Sequence, residues 1–374
     1  ILFLEKCMKK LGIIICGLVL VMGCQRNIYR FTEGHVYGTV YHVSYQSETD
    51  YAVEIRQEME RVNQSLSMFN KNSVIARWNR GECEQVDSLF VIMYRKAKEV
   101  NEATGGAFDV TVGPLVNAWG FGFKNEKLPS GEKVDSLLQY VGMDKVQLEG
   151  ERLVKLVEGV QMDASSIAKG LGVDLVAEFF DRKGVQNYMI EIGGEIRVKG
   201  ESNKQRPWHI GIDKPIDDAA AANRELQLVL ALREGALATS GNYRRFYVVD
   251  GKKYSHTINP RTGYPVQQDI LGASVYAPTC MEADAYATAC MVLGMEEAKK
   301  IILGTGSYED VKCGNTVSVT GDGGNAWNYF GPAYKKLAPK LVTYVPYSEK
   351  YKKLLELKKD LLTKQEYINY RKEI

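Results

Sequence analysis

The sequence predicts an α+β fold, with helices and strands interleaved but without a regular βαβ beat. Three observations support this. Segments of helical period alternate with short hairpin signals, no βαβ length recurs, and no linker sets off a second hydrophobic unit. Ile55, Met59, Val62 and Leu66 fall on one face of an early helix. Asp87 has the character of a helix cap, and Gly105-Gly106 ends the helix that follows it. Residues 146–156 read as a hairpin turning at Glu149-Gly150. A helix is expected over 167–180 and a strand over 187–192. A second hairpin turns at Asp250-Gly251, between RRFYVV and KKYSHTI. Residues 272–276 form a strand that leads into a helix bearing Asp284.

The chain has 374 residues, 45% of them hydrophobic and 25% charged, with a net charge of +2. That balance suits a globular domain with a large core and gives no electrostatic reason to expect nucleic acid as a partner. Lys9 and Lys10 precede an apolar stretch of thirteen residues, LGIIICGLVLVMG. This is the length of a signal-peptide core rather than of a bilayer span. The stretch ends at Val21-Met22-Gly23-Cys24, which resembles a bacterial lipoprotein box. Residues 1–23 are therefore expected to be a cleaved signal peptide, and Cys24 the lipidated first residue of a membrane-anchored, extracytoplasmic chain. The remaining cysteines, Cys83, Cys280, Cys290 and Cys313, show no CxxC spacing, which argues against a zinc site.

Residues 331–374 stand apart as a basic extension. From residue 335 onward there are eleven Lys or Arg against five acids, and Leu354, Leu357, Leu361 and Ile368 form a helical stripe. Such a stripe suits a helix packed on the body. The charge would also suit an anionic membrane surface.

Asp284 and Thr288 are four residues apart in MEADAYATACMVLG, so on a helix their oxygens share one face. Hard oxygen donors of this kind suit Mg²⁺, which keeps further positions for phosphate oxygens. Four other segments carry polar or glycine-rich chemistry. GGAFDVTVGP with the following WGFG offers small residues for a flat ligand to approach and aromatics to cover it. DASSIAKG is a polar turn feeding a helix amino terminus, where N–H groups and Lys169 favour phosphate. EIGGE is a strand ending in a glycine pair, and ATSG is followed by SHTINPRTG. None matches GxGxxG or GxxxxGK[ST], which excludes a Rossmann dehydrogenase or a P-loop kinase on motif grounds.

Taken in order, GGAFDVTVGPLVNAWGFG, IAKG, GGE, ATSG, SHTINPRTG and the ADAYAT run resemble the ApbE family, the FAD:protein FMN transferases. The resemblance runs from Tyr37-Gly38-Thr39 to the helix after Asp284. It implies a single ApbE-like domain over 24–330, with mixed, mainly antiparallel sheets and flanking helices. It implies a Mg²⁺-dependent reaction in which FMN moves from FAD to a Thr or Ser hydroxyl of an acceptor flavoprotein, releasing AMP. Asp284 and Thr288 match the family's metal ligands, with a further contact from Ser166 or the Ala164 carbonyl. Tyr37, Phe69, Ala107, Phe108, Asp109, Asp163, Lys169 and Ile258 lie where the family contacts FAD. Phe69 stands where a Tyr is common, Tyr37 where a Met is usual, and Asn259 where an Asp usually precedes the proline. His256 is the expected general base, because histidine can take a proton near neutral pH. The acceptors implied by the family are extracytoplasmic subunits of Nqr- and Rnf-type redox pumps. Two alternatives use the same pocket: a Mg²⁺-dependent FAD pyrophosphatase, and an FAD-binding lipoprotein without chemistry.

Overall fold

The chain's first β-branched and aromatic run folds back on itself as a hairpin, β1 (Tyr29–Val36) with β2 (Thr39–Gln46). Tyr41, Val43 and Tyr45 alternate inward along β2 and set which face of the sheet is buried. The computed structural model describes residues 28–122, 128–213, 226–242, 246–249, 252–267, 270–303, 316–321, 326–329 and 345–346. The expected signal peptide, Cys24, Cys313, the Asp250-Gly251 turn and nearly all of the basic extension lie outside them.

Helix α1 (Ala52–Leu66) buries Ile55, Met59, Val62 and Leu66, the four residues expected on one face. A short helix, α2 (Val74–Asn79), follows, capped by the Ser73 side chain on the Ala76 amide. Asp87 caps α3 (Ser88–Ala103) by accepting from the Phe90 N–H at 2.8 Å. Gly105 and Gly106, with φ of 57° and 86°, end it as expected. Next come α4 (Gly113–Ala118), with Pro114 in its first turn, and α5 (Gly131–Leu138). The predicted hairpin is β3 (Val146–Glu149) with β4 (Arg152–Lys155), its loop made by Gly150 and Glu151. Helix α6 (Ala168–Arg182) and strand β5 (Tyr188–Ile192) each lie within one or two residues of expectation.

The second half is richer in strands than the sequence patterns indicated. It comprises β6 (Glu195–Lys199), β7 (Trp208–Asp213), β8 (Leu226–Leu232), β9 (Glu234–Gly241), β10 (Phe246–Val249), β11 (Lys252–Ser255) and β12 (Ile270–Ala277). Helix α7 (Cys280–Leu303) carries Asp284 and breaks at Gly294. Strands β13 (Thr316–Gly321), β14 (Ala326–Tyr329) and β15 (Val345–Pro346) complete the described elements.

Eight strands form one sheet in the order β1-β2-β5-β6-β9-β12-β13-β14, and every neighbouring pair in it is antiparallel. A lone parallel bridge joins Val112 to Gln161. One face packs against α6 and α7, with α1 and α3 behind them. The other face meets the sheet β15-β8-β7 through Val198, Leu237 and Tyr276 against Trp208, Ile210 and Leu230. Strand β12 is therefore covered on both sides and its side chains are buried almost throughout. Among the described residues, Cys83 and Cys280 are free thiols. Among the described residues no helix is long and apolar enough to cross a membrane.

Candidate active site

Helices α6 and α7 meet where α6 begins. A Cβ added to Gly170 would lie 2.4 Å from the Cys280 carbonyl oxygen, so only glycine lets the two backbones approach this closely. The same contact places the Gly170 N–H on Asp284 Oδ2 at 3.1 Å. The other carboxylate oxygen, Oδ1, is 3.7 Å from Lys169 Nζ. That ammonium also bonds Glu195 Oε1 at 2.6 Å. Asp284 and Glu195 are 4% and 2% exposed, so one lysine bridges two buried carboxylates. Burial alone would push the Lys169 pKa down, but Asp284 and Glu195 outweigh it and keep the amine charged. Glu195 is raised by burial; the Lys169 ammonium opposes that rise and the Asp284 charge adds to it. Its second oxygen, Oε2, has no hydrogen-bond partner.

Asp284 is held by its helix, and that helix by Asp174. The Asp174 carboxylate accepts the Cys280 N–H at 2.9 Å and the Met281 N–H at 2.8 Å, capping α7 from inside α6. Arg197 Nη1 supplies its counter-charge at 2.6 Å. Strand β6 thus meets α6 in three ion pairs, Glu195–Lys169, Arg197–Asp174 and Lys199–Asp181, at 2.6, 2.6 and 2.8 Å. Their source is the alternation in EIRVK, where every second residue faces the helix layer and Val198 faces the opposite core.

The turn before α6 is fixed from several sides. Asp163 Oδ1 accepts the Ser165 N–H at 2.8 Å, and the Asp163 N–H bonds the Val110 carbonyl at 2.7 Å. The Ala164 carbonyl accepts the Ile167 and Ala168 amides as the helix starts. Ser166 is partly buried, as is Thr288 one turn after Asp284. Asn79 pairs with Met162 through both its side-chain oxygen and nitrogen, at 2.8 Å each. It also lies 3.7 Å from Met68 Sδ, which brings the loop of Phe69 alongside. Phe69 itself is 68% exposed, unusual for a phenylalanine and suited to covering a ring.

Ala107 and Phe108 are buried. Asp109 is a fastening as well as a candidate contact: its Oδ1 accepts the Thr111 N–H at 2.7 Å and the Thr111 hydroxyl at 2.6 Å, while burial raises its pKa. Tyr37 donates its hydroxyl to the Met59 carbonyl at 2.6 Å, and its ring fills the space a Cβ on Gly172 would take. That hydroxyl is committed to the protein, which leaves the ring and backbone of Tyr37 for a ligand.

His256 and Ile258 belong to a second group, built on Trp119. Ile258 packs with Leu115, Trp119, Val134 and Val141. Trp119 Nε1 donates to the Gly263 carbonyl at 2.7 Å, and Phe121 meets the His256 ring edge-on at a centroid distance of 6.4 Å. Arg261 Nη2 joins this loop to the glycine turn by donating to the carbonyls of Gly105 at 2.8 Å and Thr104 at 3.3 Å. Hydrogen bonds thus join the DASS turn and the Arg261 loop to the segment 104–110, and Asp284 to the start of α6.

The chemistry of the donors can be matched to a metal. Among the described residues no group of three His, Cys, Asp or Glu side chains is placed to hold one. One buried carboxylate with the Thr288 hydroxyl one turn along the same helix suits a hard cation that shares its coordination with water and phosphate. The residues fit Mg²⁺.

This architecture is that of the flavin transferases. The chain superposes on the Flavin Transferase ApbE from Vibrio cholerae with a TM-score of 0.72 and 33% identity, covering 83% of this chain and 99% of that one. An ApbE protein from Thermotoga maritima matches with a TM-score of 0.70 and 28% identity, over 83% and 99% of the two chains. The ApbE family model matches residues 37–309, and the chain belongs to that family. The FAD:protein FMN transferase of Haemophilus influenzae is 38% identical over 315 residues, 79% of this chain and 90% of that protein. The Escherichia coli K12 protein of the same name is 31% identical over 284 residues, 72% and 80% of the two.

Proposed function

We propose that this ApbE-family chain is a Mg²⁺-dependent FAD:protein FMN transferase. In the reaction, a Thr or Ser hydroxyl oxygen of an acceptor flavoprotein bonds to the FMN-side phosphorus of FAD. The pyrophosphate P–O bond breaks, AMP leaves, and the hydroxyl proton passes to His256 Nδ1 or Nε2. The observation that carries this reading is the buried Asp284 carboxylate, fixed by the Gly170 amide and facing Lys169, where the IAKG, GGE and ADAYAT motifs meet. Asp284, Thr288 and either Ser166 or the Ala164 carbonyl would hold the cation. When bound, it supplies charge neutralisation on the two phosphates and stabilises the leaving AMP. Lys169 adds positive charge at the same place, and the exposed Phe69 gives the isoalloxazine apolar surface. Apolar Ile258 and Trp119 support the loop that presents His256 and keep water from its base.

By the same reading the acceptors are extracytoplasmic subunits of Nqr- or Rnf-type redox pumps. The mature chain is anchored through lipidated Cys24, and labelling with a radioactive fatty acid that is lost in Cys24→Ser checks the anchor.

The activity is tested by incubating the protein with FAD, Mg²⁺ and an acceptor peptide, followed by mass spectrometry. Covalent FMN on the peptide with one AMP released per transfer is expected. Free FMN with AMP and no labelled peptide would identify a pyrophosphatase instead, and intact FAD a binding protein. His256→Ala should retain FAD binding and lose transfer by 10²-fold or more, on the order expected for a removed general base. Asp284→Ala should lose both activity and its dependence on Mg²⁺.

A further inference from the structure

Glu195 closes the GGE motif, and nothing assigned so far uses it. It is 2% exposed, its Oε1 is bonded to Lys169 Nζ at 2.6 Å, and its Oε2 has no partner. A buried carboxylate with one oxygen unsatisfied is costly to desolvate, and the Lys169 ammonium is what offsets that cost.

The three charges have a definite arrangement. Lys169 Nζ is in hydrogen-bond contact with Glu195 and is 3.7 Å from Asp284 Oδ1, too far for a hydrogen bond but close enough for attraction. Asp284 Oδ2 is already occupied by the Gly170 N–H, so Oδ1 is the oxygen left for a ligand. The ammonium is in hydrogen-bond contact with Glu195 and only within ion-pair distance of Asp284, so Asp284 Oδ1 is not taken up by it.

We propose that Glu195 is a positioning residue that holds the Lys169 ammonium off Asp284 and so keeps Asp284 Oδ1 available to a divalent cation. The inference rests on the proposed metal site. With Glu195 neutralised, the strongest anion left to Lys169 is Asp284. The lysine then occupies the oxygen the cation needs, and metal binding weakens.

The test is titration of purified protein with Mg²⁺ alone by isothermal calorimetry, without FAD, with circular dichroism confirming that each variant is folded. Glu195→Gln should bind Mg²⁺ at least tenfold more weakly than the parent. Lys169→Met should bind it no more weakly, because the competing cation is gone. The double variant Glu195→Gln/Lys169→Met should recover most of the loss, since Glu195 acts through Lys169. A merely structural glutamate would give a loss that persists in the Lys169→Met background, and that result overturns the inference. So does unchanged Mg²⁺ affinity in Glu195→Gln. If Glu195→Gln does not fold, Glu195→Asp keeps the charge on a shorter arm and should show a smaller loss, again relieved by Lys169→Met. Absence of Mg²⁺ binding by the parent protein is a different result, and it removes the metal site itself.

Discussion

Tyr37 shows how a residue matched to a ligand-contacting position can also be a structural pin. Its hydroxyl bonds the Met59 carbonyl at 2.6 Å and burial pushes its pKa up, so the proton stays on the phenol and is donated within the protein. Tyr37→Phe should cost about 1 kcal/mol of stability in chemical denaturation, the usual net worth of a hydrogen bond. It should leave FAD affinity unchanged, because the ring remains; a large drop in FAD affinity at constant stability would mean the hydroxyl serves the ligand. The sequence could show that Tyr37, Asp109 and Lys169 stand at motif positions, since residue type and order are all that a motif contains. It could not show that Asp109 spends one oxygen on Thr111 or that Lys169 lies between two carboxylates. The first is a local contact two residues along the chain, but the second depends on residues from other elements, Glu195 among them, 26 residues away.

At the scale of elements, the helix carrying Asp284 is only as well placed as its first turn. Asp174 takes both the Cys280 and Met281 amides and is itself neutralised by Arg197. Asp174→Ala should destabilise the protein by about 3 kcal/mol, because it uncaps α7 and leaves a mostly buried guanidinium without its partner. The measurement is a urea denaturation curve, and a cost under about 0.5 kcal/mol would show that water replaces the cap. Helices α1 and α3 were legible in the sequence, α1 by its apolar stripe and α3 by its cap and glycine stop, and α6 was placed to within two residues. Asp87 and Gly105-Gly106 were correct to the residue. Short α2 and α4 and strands β1, β2 and β6 to β9 carried weaker signals. Two of them are six-residue helices, and β6 interleaves charges with apolar residues because both of its faces are covered. The Asp174 cap left no local trace, as a capping residue is normally sought next to the helix it serves.

Over the whole molecule, one antiparallel sheet presses α6 and α7 together on one face and rests on a smaller sheet with the other. A ligand held between those helices and the segment 105–113 should therefore stabilise the entire fold. Mg²⁺ and FAD together, at a hundred times their dissociation constants, should add about 2.7 kcal/mol for each linked site. Differential scanning fluorimetry should show the rise in the parent and, in Asp284→Ala, only the part due to FAD. An equal rise in both would place the cation elsewhere. The fold class and the set of converging motifs were legible in advance; the sheet order was not, since hairpin signals identify neighbours in sequence but not the β6-β9 and β9-β12 pairings across long connections. One consequence lies in the break of α7. Gly294, at φ 78° and ψ 172°, is in a region of backbone space that only glycine occupies freely, ten residues beyond Asp284. Torque applied to the later half of the helix cannot be carried through an interrupted ladder. The turn that holds Asp284 and Thr288 is therefore mechanically separate from the later half of the helix, which is seated on its own in the core through Met295 and Ala298.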